Sequence, residues 1–349
     1  MAKPITWAIP GDLDTATGGY AYDRRVIAEL QRLGWTVEVL SLGGGFPWPN
    51  EVQKADAEAR LRAAASDMPI VVDGLAFGAL PEVAAELRRT RPLVALVHHP
   101  LALETGLTEV QSQALLASER SALAAARSVV TTSPWTADLL VERFGVTGDQ
   151  LTVILPGTDR RPPARGSGGP VHLLSVGAMV PRKGFDLLVE ALSRLADLPW
   201  RLTIVGDRGR DPDAAARVDS LIAHHRLDGR IDVLGKVSPG RLTALYDSAD
   251  AFVLASEFEG YGMAFAEALA HGLPVIGTTG GAIHQTVPAA AGRLVAPGDV
   301  AALAAVLRRL VDDHDHRRAL AAGARAAAAS LPSWAQAGEK FNDLLVLLI

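Results

Sequence analysis

The chain has 349 residues, of which 49% are hydrophobic and only 5% aromatic, with a formal net charge of -5 and a pI near 6.0. That length suggests two or three domains, with cores built mainly from Ala, Leu and Val. Mild acidity gives no general affinity for nucleic acid, and the lack of cysteine excludes disulfides, thiolate catalysis and Cys-ligated zinc or iron–sulfur sites.

In chain order, strand-like apolar runs alternate with amphipathic ones, the pattern of an α/β fold with parallel layers. Residues 5–9 read as a short buried strand. They open into Pro10-Gly11 and a polar loop ending in Gly18-Gly19, ahead of a helical period over residues 20–33. A double glycine before a helix lets the backbone approach a phosphate closely, although it also serves as a plain turn. Residues 92–97 form a second strand-like run. His98 follows at its C-terminal end, where open parallel sheets place ligands, and His99 is the neighbouring alternative. A histidine there is also a common structural residue. Residues 1–10 carry one Lys and only a strand-length apolar stretch, so they do not read as a signal peptide. No apolar run approaches the ~20 residues needed to span a bilayer. A cytoplasmic protein is expected.

In residues 159–170 (DRRPPARGSGGP) charge, Pro and Gly cluster and no apolar period survives, which places a hinge there. The expected division is 1–160, 161–332 and a terminal helix in 333–349. Beyond the hinge, residues 171–176 read as a strand ending in Gly177, and Arg182 and Lys183 precede Gly184 and an amphipathic run over 185–195. Arg clamps a phosphate through a fork and Lys acts as a point charge, so the pair suits a departing diphosphate without a metal. A solvated basic turn is the plain alternative. Glu259 and Glu267 stand eight positions apart in EFEGYGMAFAE. If Gly260-Tyr261-Gly262 is a turn and a helix starts near Met263, the carboxylates lie at most ~12 Å apart with free backbone N–H groups between them. A diphosphate fits there, and each glutamate can accept sugar hydroxyls. Otherwise both are ordinary carboxylates favoured near a helix N-terminus.

Metal-like patterns are weak. Asp12-Leu13-Asp14 and Asp211-Pro212-Asp213 spell Asp-x-Asp, whose oxygens suit Mg or Mn, but a three-residue match arises easily by chance. Residues 312–316 (DDHDH) follow a helical run over 300–310 and read as a solvated turn. His224 and His225 point about 100° apart on a helix and so do not readily share an ion. No metal is expected.

Together these segments resemble the retaining glycosyltransferases of family 4, which have the GT-B architecture of two Rossmann-like domains facing each other across a cleft. LTIVGD (202–207), IDVLGKV (231–237) and LYDSADAFVLAS (245–256) follow in the family's order, and the likeness is stronger in the C-terminal half. It implies that the chain moves a hexosyl unit from a UDP- or GDP-linked sugar to an acceptor, retaining configuration, with no metal and no cofactor beyond the sugar nucleotide as donor substrate. Carried across by residue, it implies that Arg182 and Lys183 hold the diphosphate, Glu267 takes the ribose hydroxyls and Glu259 contacts the donor sugar. Gly260, Tyr261, Gly262 and Met263 offer backbone amides, Gly177 lies in the turn before the basic pair, and Val237 lies where the base rests. The loop with Gly18 and Gly19 faces the donor, and His98 lines the cleft in the acceptor-side domain. The helix at 334–349 crosses back onto that domain. The acceptor is a sugar, a lipid-linked group or a small molecule; because several relatives glycosylate lipids, peripheral membrane contact is an expectation, and nucleic acid is not. One departure is His284-Gln285 in GAIHQTV, where many relatives carry Pro-Glu. An inactive sugar-nucleotide-binding or partner-binding protein is the alternative, opposed by intact Lys183, Glu259 and Glu267. A nicotinamide dehydrogenase is opposed by the lack of Gly-x-Gly-x-x-Gly after the first strand.

Overall fold

The computed structural model describes residues 3–64 and 68–349. They fall into two compact units, one running to Gly157 and rejoined by Pro332–Ile349, the other Thr158–Leu331. Each unit is a parallel sheet clothed in helices.

In the first unit the strands are β1 (Lys3–Ile9), β2 (Trp35–Ser41), β3 (Ile70–Asp73), β4 (Leu93–Val97), β5 (Ser128–Thr131) and β6 (Leu151–Val153), in the order β2-β1-β3-β4-β5-β6. Every residue of β3, β4 and β5 is buried, because helices cover both faces of a parallel sheet and so select continuous apolar runs such as LVALV. β1 pairs with β2 from Lys3↔Trp35 to Ile9↔Ser41, and with β3 through Trp7↔Val71. The second unit holds β7 (Val171–Val176), β8 (Trp200–Val205), β9 (Ile231–Val233), β10 (Ala251–Val253), β11 (Val275–Thr278) and β12 (Gly292–Val295), in the order β12-β11-β10-β7-β8-β9. The direction of strand succession reverses between β1 and β3 in one sheet and between β7 and β10 in the other. At such reversals the loops leaving neighbouring strands diverge and open a crevice beyond the strands' carboxyl ends.

Several local expectations change. The first helix begins at Gly18, not after the double glycine, because Thr17 caps it by accepting the Tyr20 N–H at 3.2 Å. Residues 312–316 are not a turn: the helix Val300–Asp312 ends and Asp313 at once caps the helix His314–Ala328 by accepting the His316 N–H at 2.8 Å. The first carboxylate of each Asp-x-Asp serves the backbone, Asp12 accepting the Asp14 N–H and Asp211 capping the helix Pro212–His224 through the Ala214 N–H, each at 2.9 Å. His224 ends that helix, and its ring meets His225 edge to face with centroids 4.9 Å apart. Residues 159–170 form neither helix nor strand, and Arg160 ties them down by donating to the Ala328 and Ala329 carbonyls.

The terminal helix Trp334–Val346 packs on the helix Gly18–Arg32 within the first unit, with Phe341 against Trp7 at 5.1 Å. Ser333 and Gln336 close a capping box at its start. No described helix is long and apolar enough to cross a membrane.

Candidate functional site

In the second unit, the loop leaving β7 lies against the segment leaving β10, at the reversal of strand order. Gly184 makes this possible. It has φ +61, and a Cβ there would stand 2.2 Å from the Ala255 carbonyl oxygen, so a side chain would force the two segments apart. The turn Pro181–Lys183 just before it is clamped to its neighbour by main-chain bonds: the Glu257 N–H donates to the Arg182 carbonyl, and the Arg182 guanidinium to the Phe258 carbonyl, both at 2.8 Å.

Held this way, the basic pair is no solvated turn. Lys183 donates to the Glu259 carboxylate, Ser256 Oγ donates to the same oxygen at 2.7 Å, and Arg182 stands 3.9 Å from the other oxygen. Glu259 is buried, which by itself would raise its pKa. The charges of Lys183 and Arg182 and the bonds from Lys183 and Ser256 outweigh burial and hold it below the usual carboxylate range. Two cations and one carboxylate leave a net single positive charge at the mouth of the crevice.

That charge is followed by an open helix terminus. Gly262 takes φ +89 as N-cap of the helix Met263–Ala270, and among the described residues no side chain caps it, so the terminus is one of the kind that can receive an anion. Gly260 and Tyr261 lead into it, and the Tyr261 carbonyl is fixed by the Thr286 hydroxyl at 2.6 Å. Thr286 belongs to the short helix Ile283–Thr286, whose His284 and Gln285 are exposed. That turn thus supports Tyr261 through Thr286 while the two departing residues face outward.

Glu267 belongs to a separate cluster. Its carboxylate accepts the Tyr246 hydroxyl at 3.1 Å, and the Tyr246 ring stacks with those of His271 (4.9 Å) and Phe252 (6.2 Å). Burial raises the Glu267 pKa, with the Tyr246 bond pulling the other way. His271 is pushed down to about 4 by burial and by Arg161, and is neutral at pH 7. Of the remaining expected residues, Gly177 lies beside the Lys183 stem, where a Cβ would touch it at 3.4 Å, and Val237 is half-buried just before the helix Pro239–Ser248. A cavity of about 200 Å³ lined by Asp159, Arg161 and Arg325 among others includes neither the basic pair nor either glutamate.

Sequence reasoning missed Ser256 and Tyr246. A polar residue at the end of the buried run 251–255 is the signal that Ser256 offered. Tyr246→Phe is expected to weaken binding of a free nucleoside diphosphate about tenfold, the scale of a lost hydrogen bond to a charged acceptor, as measured by calorimetric titration. Unchanged affinity would show that Glu267 needs no partner.

In the first unit, Gly19 packs on the His98 ring, where a Cβ would lie 3.1 Å from Cδ2. Gly18, by contrast, is exposed. His98 Nε2 is 3.0 Å from an Asp23 oxygen and 3.7 Å from an Asp73 oxygen, two carboxylates that no motif singles out. His99 lies 3.9 Å from Glu104 instead.

Residues 159–327 match the family described as glycosyl transferases group 1, and residues 58–161 match Glycosyltransferase Family 4. An MMP alpha-(1->4)-mannosyltransferase from Mycolicibacterium hassiacum is 27% identical over 307 residues, 83% of this chain and 73% of the relative. A D-inositol 3-phosphate glycosyltransferase from Xylanimonas cellulosilytica is 31% identical over 252 residues, 67% of this chain and 60% of the relative. Sucrose-phosphate synthase from Thermosynechococcus elongatus superposes with a TM-score of 0.84 at 21% identity, over 99% of both chains. Anabaena Alr3699/HepE in complex with UDP and glucose superposes with a TM-score of 0.76 at 18% identity, over 98% of this chain and all of the other.

Two parallel α/β units give the GT-B fold, and the family matches make this a glycosyltransferase. The chain belongs to the glycosyltransferases of family 4.

Proposed function

We propose that the chain transfers a hexosyl unit from a UDP- or GDP-linked sugar to an acceptor hydroxyl, with retention of configuration and without a metal. The observation that carries this is the meeting of Arg182, Lys183 and Glu259 at the β7/β10 reversal, next to an uncapped helix N-terminus. On this reading the second unit takes the donor and the first the acceptor. The bond from the anomeric carbon to the diphosphate breaks, the acceptor oxygen bonds that carbon on the same face, and the acceptor proton passes to the departing phosphate. Arg182, Lys183 and the amides of Gly260, Tyr261, Gly262 and Met263 stabilise the charge that grows on the leaving group. Glu259 then meets the sugar and Glu267 the ribose. The donor reading agrees with the names of relatives: a GDP-mannose-dependent mannosyltransferase from Corynebacterium glutamicum is 31% identical over 176 residues.

Thermal-shift screening of sugar nucleotides, then product analysis with the stabilising donor, tests this. A protein stabilised by no sugar nucleotide would overturn it. Excess EDTA is expected to leave initial rates within about twofold, because the basic pair and helix terminus supply charge that a metal would otherwise bring, each such group being worth ~100-fold. Should chelation abolish turnover and Mg or Mn restore it, the metal-free mechanism is wrong.

A further inference from the structure

The first unit has its own strand reversal, between β1 and β3, and three titratable side chains meet beside it. Asp73 is the last residue of β3, His98 follows β4, and Asp23 lies in the helix that leaves β1. Both carboxylates are buried, Asp23 at 0% and Asp73 at 3% exposure, yet a fifth of the His98 side chain is open. Among the described residues no other charged group acts on the ring; Gly19 covers Cδ2, and the Tyr22 ring meets it edge to face at 5.2 Å, its hydroxyl donating to the Ile154 carbonyl. Nε2 faces the two carboxylates, and among the described residues Nδ1 has no hydrogen-bond partner.

We infer that Asp23 and Asp73 are positioning residues that hold His98 as an imidazolium, so that its Nδ1–H serves as a donor to a ligand oxygen entering the β1/β3 crevice. The geometry favours the charged ring. With Asp23 ionised, a neutral imidazole that donates Nε2–H to it would leave Nδ1 an acceptor and a buried carboxylate with no cation, the costly arrangement. Protonation turns Nδ1 into a donor and gives the pair its counter-charge. Electrostatics agree: burial lowers the His98 pKa, but the charge and hydrogen bond of Asp23 and the charge of Asp73 outweigh it and leave it raised. Asp73 is itself pushed up to about 7 by burial and by Asp23, so near neutral pH the cluster shares its protons. This inference rests on reading His98 as a ligand-facing group of the transferase. It adds Asp23 and Asp73, which act through the ring and are not themselves exposed to a ligand.

The imidazolium is present below the His98 pKa and lost as pH rises through it. Turnover (kcat) therefore falls on the alkaline side, and weakening the carboxylate pair moves that fall to lower pH.

NMR titration of histidine-labelled protein tests the inference directly, with the His98 signal assigned by its absence in His98→Gln. In the wild type His98 is expected to titrate above the ~6.5 of free histidine. Asp23→Asn should lower the midpoint by at least ~1 pH unit and Asp73→Asn by less, in keeping with 3.0 against 3.7 Å. The alkaline limb of kcat should move with the midpoint, which a merely structural role would not produce. A wild-type His98 that titrates at or below ~6.5 overturns the inference, and that measurement stands even if a variant does not fold. So do unmoved midpoints in both folded variants. Stoichiometric Zn²⁺ or Mn²⁺ binding that Asp73→Asn abolishes would also overturn it, because an ion rather than a proton would then balance the carboxylates. A His98 titration as expected, in a protein that transfers no sugar from any sugar nucleotide, would sink the functional reading alone.

Discussion

Lys183→Ala is expected to lower turnover at least ~100-fold, the usual cost of removing one group that stabilises transition-state charge. The variant should still fold. The turn is held by the Gly184 N–H donating to the Pro181 carbonyl and by the main-chain clamp between Arg182 and Glu257, none of which needs the lysine side chain. Its side chain is nevertheless largely buried and paired, so the substitution also leaves Glu259 with Ser256 and the more distant Arg182. The Glu259 carboxyl then loses its strongest opposing charge and its pKa rises. Single-turnover kinetics with the wild-type donor, alongside a melting curve to confirm folding, measure the effect. Unchanged turnover in a folded variant would remove Lys183 from the site.

The two glutamates are expected to fail in different ways. Glu267→Ala removes the acceptor held by Tyr246, and should weaken the free nucleoside diphosphate and the intact donor alike by about 10–100-fold. Glu259→Ala leaves Arg182 and Lys183 without their carboxylate, so the net charge of the trio rises from one positive to two. The free diphosphate should then bind as well as before or better, while the intact donor loses the sugar contact and turnover falls ~100-fold or more. Losing one member of a buried pair also costs about 3 kcal/mol of stability, to be read from denaturant unfolding of the second unit. Titrating both ligands against both variants decides the matter: equal losses throughout would refute the division of labour.

The sequence alone determined the features that depend on neighbours along the chain. Parallel strands covered on both faces must be apolar throughout, so runs such as 93–97 and 171–176 announce themselves. The turn at 260–262 and the adjoining helix are equally local, since Gly262 both breaks the chain and caps the helix Met263–Ala270. Local capping still misled where one residue decided: Asp313 restarts a helix in a segment whose charge reads as a turn. Only the tertiary structure decided which loops meet. Lys183 and Glu259 are 76 positions apart, Tyr246 and Glu267 are 21 apart, and Asp23 and His98 are 75 apart. No periodicity links such pairs, because their contact is set by strand order. β10 lies beside β7 and β3 beside β1, although other strands intervene in the chain, and sheet pairing depends on packing over the whole unit rather than on the residues at either end.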